Sequence, residues 1–255
     1  MPTLFLDLDN TLIYSHRHEI RVPKRVAEML NGREQSYITE QTFSYLSACR
    51  SLAVVPVTTR THRQYQRLAP LLNQLHCESA LICNGAVLLR GNTLDQVWLE
   101  ETLQLAGEEL REVEKAERWL RERCGEAAVH AECGVLAYVR SDCPEQLAGA
   151  LARQIDAGKA DVLYDGHKVY CVPKCNNKGM AVKRFVQRFG VDTSIAAGDS
   201  VFDVPMLEQA DAAILPPRLS AMVKNKGKAV VEGKEIFSDE ICAKLDEMLL
   251  KTEES

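Results

Sequence analysis

Four short apolar runs, each ending abruptly in polar or acidic residues, constrain the fold of this chain more than any other feature. They are residues 3–7 (Thr-Leu-Phe-Leu-Asp), 52–58 (Leu-Ala-Val-Val-Pro-Val-Thr), 79–83 (Ser-Ala-Leu-Ile-Cys) and 194–198 (Ser-Ile-Ala-Ala-Gly). A run of this kind has no polar face, so it suits a strand covered on both sides, as in a parallel sheet. Between the runs lie segments of helical period at about 39–50, 61–75, 178–190 and 203–210. Strand–helix alternation predicts an open α/β sheet. Pro56 removes a ladder donor from the second run, but the flanking residues are strongly β-forming.

The middle of the chain has another rhythm. Residues 86–99 read as a hairpin around Gly91-Asn92, and 102–124 as one long charged helix with apolar positions at Leu103, Leu110, Val113, Trp119 and Leu120. Strand runs at 127–132 and 135–141 follow, broken at Cys133-Gly134, then a helix at about 144–157. Strand runs at 160–164 and 167–172 flank Asp165-Gly166, a strong hairpin signal. That is helix–strand–strand twice over. Residues 87–173 therefore read as an α+β domain inserted into a first domain made of 1–86 and 174–255. A last helix, 238–251, is expected to start at a Ser238 cap with Asp239 and Glu240 in its first turn.

Composition narrows the function classes. The net charge of −5 over 255 residues gives no electrostatic footprint for nucleic acid. No stretch approaches the ~18 apolar residues of a membrane span. No basic region precedes the first apolar run, as a signal peptide would require. Of the nine cysteines only Cys171 and Cys175 are close, with no second pair to complete a structural zinc site. Free thiols point to a reducing compartment, and a cytoplasmic protein is expected.

Chemistry-bearing residues gather where the apolar runs end, which is where open α/β sheets bind ligands. Asp7-Leu8-Asp9-Asn10-Thr11 puts two carboxylates two residues apart at a strand end. Such a pair suits a divalent cation, or a division of roles in which one acid is ionised and the other protonated. An ionised Asp can attack phosphorus, and a second can protonate the leaving oxygen and then deprotonate water. Thr58-Thr59-Arg60 offers a hydroxyl and exposed N–H groups before a helix, an anion site. Lys178, in Asn176-Asn177-Lys178-Gly179, opens a helix and can neutralise a carboxylate or a phosphoryl oxygen. Gly198-Asp199-Ser200-Val201-Phe202-Asp203 places two acids four apart after a tight strand exit, hard oxygen donors of the kind Mg²⁺ takes. Taken singly, each motif also fits a capped helix or a solvated surface. Their order and spacing together do not.

The whole chain resembles the haloacid dehalogenase superfamily of phosphohydrolases, whose pattern is DxDxT, a strand ending in Thr or Ser, a Lys, and an acidic GDxxxD-type motif. The resemblance implies a Rossmann-like parallel sheet core with helices on both faces, and it makes residues 87–173 a cap of type IIB. Asn84-Gly85-Ala86, where the chain leaves for the cap, also resembles this subclass. The resemblance further implies catalytic roles for Asp7 (nucleophile), Asp9 (general acid/base), Thr58 and Lys178 (phosphoryl holding). It implies Mg²⁺ at Asp7, Asp199, Asp203 and the Asp9 carbonyl, and substrate contacts at Thr59, Arg60, Asn84 and Gly85. The acid at Asp9 argues against the dehalogenase branch, and the cap type leans toward hydrolysis rather than phosphotransfer to a second hydroxyl. Phe202 stands where the family commonly has a polar residue. Arg17 and its flanking histidines His16 and His18 lie where the family places a loop over the site, and Arg140, His167 and Lys168 are cap residues near hairpins. The expected substrate is a small phosphorylated metabolite, a sugar phosphate or nucleotide-related compound. A phosphotransferase, or a binding protein that kept the fold, would carry the same motifs.

Overall fold

The apolar runs form strands that end at one edge of a parallel sheet in the computed structural model, which describes residues 1–232 and 236–253, with side chains to residue 249. In chain order, β1 (Thr3–Leu6) leads into β2 (Tyr14–Ser15), β3 (Lys24–Leu30), β4 (Arg33–Thr39) and helix α1 (Glu40–Ala48). Next come β5 (Ala53–Pro56), α2 (His62–Gln66), α3 (Ala69–Gln74), β6 (Ser79–Ile82), β7 (Val87–Arg90), β8 (Thr93–Leu94) and α4 (Gln96–Ala106). The α+β segment is α5 (Leu110–Cys124), β9 (Val129–Glu132), β10 (Leu136–Arg140), α6 (Pro144–Ala152), β11 (Ala160–Asp165) and β12 (Lys168–Pro173). The chain closes with α7 (Lys178–Phe189), β13 (Ser194–Ala197), α8 (Val204–Gln209), β14 (Ala212–Leu215), β15 (Lys228–Val230) and α9 (Phe237–Glu253).

The central sheet has the order β15-β14-β13-β1-β5, all parallel, and β6 continues it through a bridge between Val57 and Leu81. Pro56 is accommodated because Val57 donates to Leu6 and Thr58 to Leu81. The missing donor of Pro56 therefore falls on the β6 side, ahead of the point where pairing begins. Side chains alternate across the sheet. Leu4 and Leu6 pack with α1, α3 and α9, whereas Phe5 packs with Phe185 of α7 and Met206 of α8. Helices thus cover both faces, as a buried parallel sheet requires.

The inserted segment forms a second sheet, β11-β12-β10-β9, antiparallel throughout. One face, with Ala137, Val139 and Val169, is covered by α5 and α6. The other, with Leu136, Tyr138, Tyr170 and Val172, packs on Phe202 of the core.

Several local expectations are revised. The helix expected over 102–124 is two helices, because Gly107 takes a left-handed φ of 45° and ends α4. The hairpin at Gly91-Asn92 forms, but its second arm stops at Leu94, since the Asp95 carboxylate caps α4 by accepting from the Trp98 N–H. The helix expected over 61–75 is split around Leu68, ahead of Pro70 in the first turn of α3. Ser238 is not a cap: α9 starts at Phe237 and its first-turn N–H groups donate to the Ile236 carbonyl. Residues 14–39, to which the sequence patterns assigned no strand, hold a three-stranded antiparallel sheet, β2-β4-β3.

Candidate active site

β1 delivers Asp7 to the edge of the sheet, and β13 delivers Asp199 beside it through the parallel register Leu6↔Ala197. α7 begins at Lys178, capped by the Asn177 side chain, which accepts from the Met180 N–H. Lys178 is only 1% exposed, and its ammonium donates to Asp7 Oδ1 (2.5 Å) and Asp203 Oδ1 (2.6 Å). The other Asp203 oxygen accepts from the N–H groups of Asp199 (3.0 Å) and Ser200 (2.8 Å), which folds the loop after β13. Gly198 is required there: a Cβ would lie 2.5 Å from the Asp203 side chain.

Asp7, Asp199 and Asp203 each present a carboxylate oxygen, and these oxygens lie within 4.8 Å of one another. Burial, followed by the facing Asp203 carboxylate, pushes the Asp7 carboxyl well above its usual range, with Lys178 opposing. The same two causes raise Asp199 to about 6, against Arg218 and the Thr11 hydroxyl. Burial opposes the charged form of Lys178, but Asp203 and Asp7 outweigh it and raise its pKa. Hard oxygen donors crowded together at a cost to their own ionisation fit a small divalent cation. Asp7 and Asp199 are the better candidates to hold it: Asp7 engages Lys178 through one oxygen and Asp199 is held by Thr11 and the exposed Arg218, whereas Asp203 is bound through both oxygens to buried Lys178 and to the loop N–H groups.

Asp9 does not join this cluster. Its carboxylate turns to Arg60, which donates from Nε to Oδ2 (2.8 Å) and from Nη2 to Oδ1 (2.7 Å). Burial opposes Asp9 ionisation, yet Arg60, with Lys168 and Lys178 adding, holds the carboxyl below its usual range. Thr58 is buried, with its hydroxyl accepting from the Arg60 N–H (3.1 Å), and Thr59 interacts with the Tyr170 phenol of the second sheet. Asn84 and Gly85 lie in the packing beneath the site. Asn84 is 2% exposed and donates to the Asn176 carbonyl, and Gly85 has a φ of +96° and faces Ala181 so closely that a Cβ would clash at 2.3 Å.

Of the residues from the second sheet, Lys168 is half-buried and interacts electrostatically with Asp9, whereas Arg140 and His167 are exposed at the hairpin end. His18 lines a cavity of about 600 Å³ with Asn10, Asp165, Asp199 and Arg218. Arg17 is exposed. Sequence reasoning missed Arg218, which donates to the Asp199 carbonyl and carboxylate. It follows the end of β14, so recognising Ala212–Leu215 as a further strand would have flagged it. Thr11, the last residue of the first motif, donates to Asp199 Oδ1 (3.0 Å) and ties the two acidic motifs together.

Neither a protein-family model nor a curated protein matches the sequence. Solved structures do. The sucrose-phosphatase of Synechocystis sp. PCC6803, solved with sucrose and phosphate, is 18% identical, with a TM-score of 0.60 over 96% of this chain and 97% of that one. A sugar phosphatase of HAD subclass IIB is 14% identical, with a TM-score of 0.65 over 97% and 99% of the two chains. A haloacid dehalogenase-like hydrolase from B. subtilis is 15% identical, with a TM-score of 0.54 over 95% and 97%. This is a likeness of fold, and it runs through the core and the inserted segment alike. The chain has the fold of the haloacid dehalogenase phosphatases, in the form that subclass IIB takes.

Proposed function

We propose that this chain is a Mg²⁺-dependent phosphatase that hydrolyses a small phosphorylated metabolite, a sugar phosphate foremost, through an aspartyl-phosphate intermediate. The observation that carries the reading is Asp7, buried at a strand end between Lys178 and the acidic pair Asp199 and Asp203. Nothing in a purely structural role calls for three buried carboxylates around one lysine, since unpaired buried charge is costly. The sugar substrate is supported by fold neighbours described as a sucrose-phosphatase and a sugar phosphatase.

In this reading an Asp7 oxygen attacks phosphorus and forms a P–O bond as the bond to the leaving oxygen breaks. Asp9, once it has turned off Arg60 and taken a proton from water, gives that proton to the leaving oxygen. Water then attacks phosphorus, Asp9 takes the water proton, and the bond to Asp7 breaks to release inorganic phosphate. Lys178 and Thr58 would bear on the phosphoryl oxygens, and Lys178 also fixes Asp7 in orientation. Bound by Asp7, Asp199 and the Asp9 carbonyl, Mg²⁺ would offset charge on the transferring group. Residues 87–173 would serve as the cap. β7, β8 and α4 pack with the core through Leu88 and Trp98, so the part that closes over the cleft would begin near α5.

The test is hydrolysis of p-nitrophenyl phosphate and of a panel of sugar phosphates, with Mg²⁺ and with EDTA. Turnover should need the metal. Asp7→Asn keeps the shape of the side chain and removes the attacking anion, so it should abolish turnover while the thermal unfolding midpoint is retained. Hydrolysis by the Asp7→Asn chain at the parent rate refutes the mechanism.

A further inference from the structure

The sheet of residues 14–39 reaches into the site through one residue. Glu28 is 4% exposed, although its strand β3 lies at the surface. The pairing of β3 with β4 explains this. Val26 is opposite Tyr37 and Glu28 is opposite Ser36, so Ala27 is an extra residue, a β-bulge. In an unbroken strand Glu28 would share the face of Val26, which is 38% exposed. The bulge shifts the alternation by one, so that Ala27 and Glu28 are both buried.

The inverted Glu28 meets two arginines. Its Oε2 accepts from Arg60 Nη2 (3.0 Å) and from the Ser36 hydroxyl (3.4 Å), and its Oε1 forms an ion pair with Arg67 Nε at 2.7 Å. The Arg60 Nη2 that it binds is the nitrogen that also donates to Asp9. The result is a row of alternating charge, Arg67–Glu28–Arg60–Asp9. Glu28 is enclosed on both sides, whereas the Asp9 side chain at the end of the row is 46% exposed to the cleft. Asp9 is therefore the member of the row that can move.

As the structure stands, both Asp9 oxygens accept from Arg60, so neither is directed at a leaving group. To protonate one, Asp9 must turn off the guanidinium and take up a proton from water, since the carboxylate that Arg60 holds carries none. Arg60 is 8% exposed, and without another carboxylate it would be left as an unpaired buried charge. We propose that Glu28 is a positioning residue for Asp9: it retains Arg60 when the Asp9 side chain leaves it, takes up a proton and turns to the leaving-group oxygen, and so makes that movement affordable. This rests on the proposed role of Asp9 as general acid. Arg67 holds Glu28 from behind and keeps it from following Arg60 toward the cleft.

Glu28→Gln keeps the size of the side chain and removes its charge, leaving Asp9 as the carboxylate partner of Arg60. Its kcat/KM should be compared for p-nitrophenyl phosphate, whose phenolate leaves without a proton, and for a hexose 6-phosphate, whose alkoxide needs one. The variant should lose at least about tenfold more on the alkyl ester than on the aryl ester, within the range that general acid catalysis supplies. An equal loss on both esters, or no loss on either, overturns the proposal. Asp9→Asn in the same assay separates the two claims. If it shows no leaving-group bias, the acid assignment fails and the proposal falls with it. If it shows the bias and Glu28→Gln does not, only the proposal falls. A crystal structure of the unaltered chain with Mg²⁺ and orthovanadate decides the matter even where the Glu28→Gln chain fails to fold. Asp9 should then be off Arg60 and toward the apical vanadate oxygen, with Arg60 still on Glu28. A bidentate Asp9–Arg60 pair retained in that complex overturns the proposal.

Discussion

Lys178 shows how strongly single residues are committed at this site. A full charge at 1% exposure is sustained by two carboxylates at 2.5 and 2.6 Å. Removing one member of such a buried group leaves the others uncompensated, at a typical cost of about 3–5 kcal/mol. Lys178→Met keeps the length and removes the charge. The unfolding free energy should fall by an amount in that range, read as a lower urea midpoint with the m-value unchanged. It should also lose activity by roughly 10²-fold or more in kcat, because in the proposed mechanism the ammonium stabilises charge on the transferring group. A loss confined to KM, with stability intact, would make Lys178 a binding residue and contradict the geometry. Thr58 is less exposed to this test, since its hydroxyl already serves the Arg60 backbone.

At the scale of elements, what brings Lys178 to Asp203 is the close approach of α7 and α8. Gly179 makes it possible: a Cβ there would lie 2.3 Å from the Pro205 carbonyl oxygen, which is backbone and cannot swing aside. Gly179→Ala should force the helices apart and destabilise the chain by about 1–3 kcal/mol, the usual range for overpacking. Activity should fall further than stability alone explains, because Lys178 is the adjacent residue. Equilibrium unfolding and kcat measured on the same preparation check both parts. The elements that position the acids were legible in the sequence because each is an unbroken apolar run ending in a chemical motif, as in Leu4-Phe5-Leu6 before Asp7. What was not legible had weaker signals. β15 is a short edge strand, Lys228–Val230, with no fully buried residue. β3 hides its period of two behind the bulge at Ala27, and Glu28 was missed for that reason. Arg218 went unseen because β14 did. Arg60 was placed at the site, but its grip on Asp9 comes from residues 51 positions apart in the chain, beyond any local pattern.

Across the whole molecule, two separately packed units meet over the site, and the contact is largely aromatic. Tyr170 of the second sheet lies edge-on to Phe202, with ring centroids 5.3 Å apart, and the Tyr138 ring lies tilted behind Tyr170 at 5.6 Å. Gln64 adds one hydrogen bond to the Tyr138 hydroxyl (2.9 Å). Phe202 stands inside the Gly198–Asp203 motif, at a position the resemblance makes polar, so an apolar anchor has been set into the loop that carries Asp199 and Asp203. Such an anchor favours the contact between the units, since separating them would return Phe202, Tyr170 and Leu136 to water at about 25 cal/mol per Å² of apolar surface. Phe202→Ala should therefore act on the contact between the units more than on the interior of either. The radius of gyration from small-angle scattering should increase. Proteolysis should quicken in the connections flanking 110–173, the part proposed to close over the cleft. If the proposed function holds, KM for a sugar phosphate should rise more than KM for p-nitrophenyl phosphate, because the larger substrate would draw on residues such as Lys168 from the second sheet. A variant with an unchanged radius of gyration and a parallel loss on both substrates would show that Phe202 supports the catalytic loop alone, and that closure is held by other contacts.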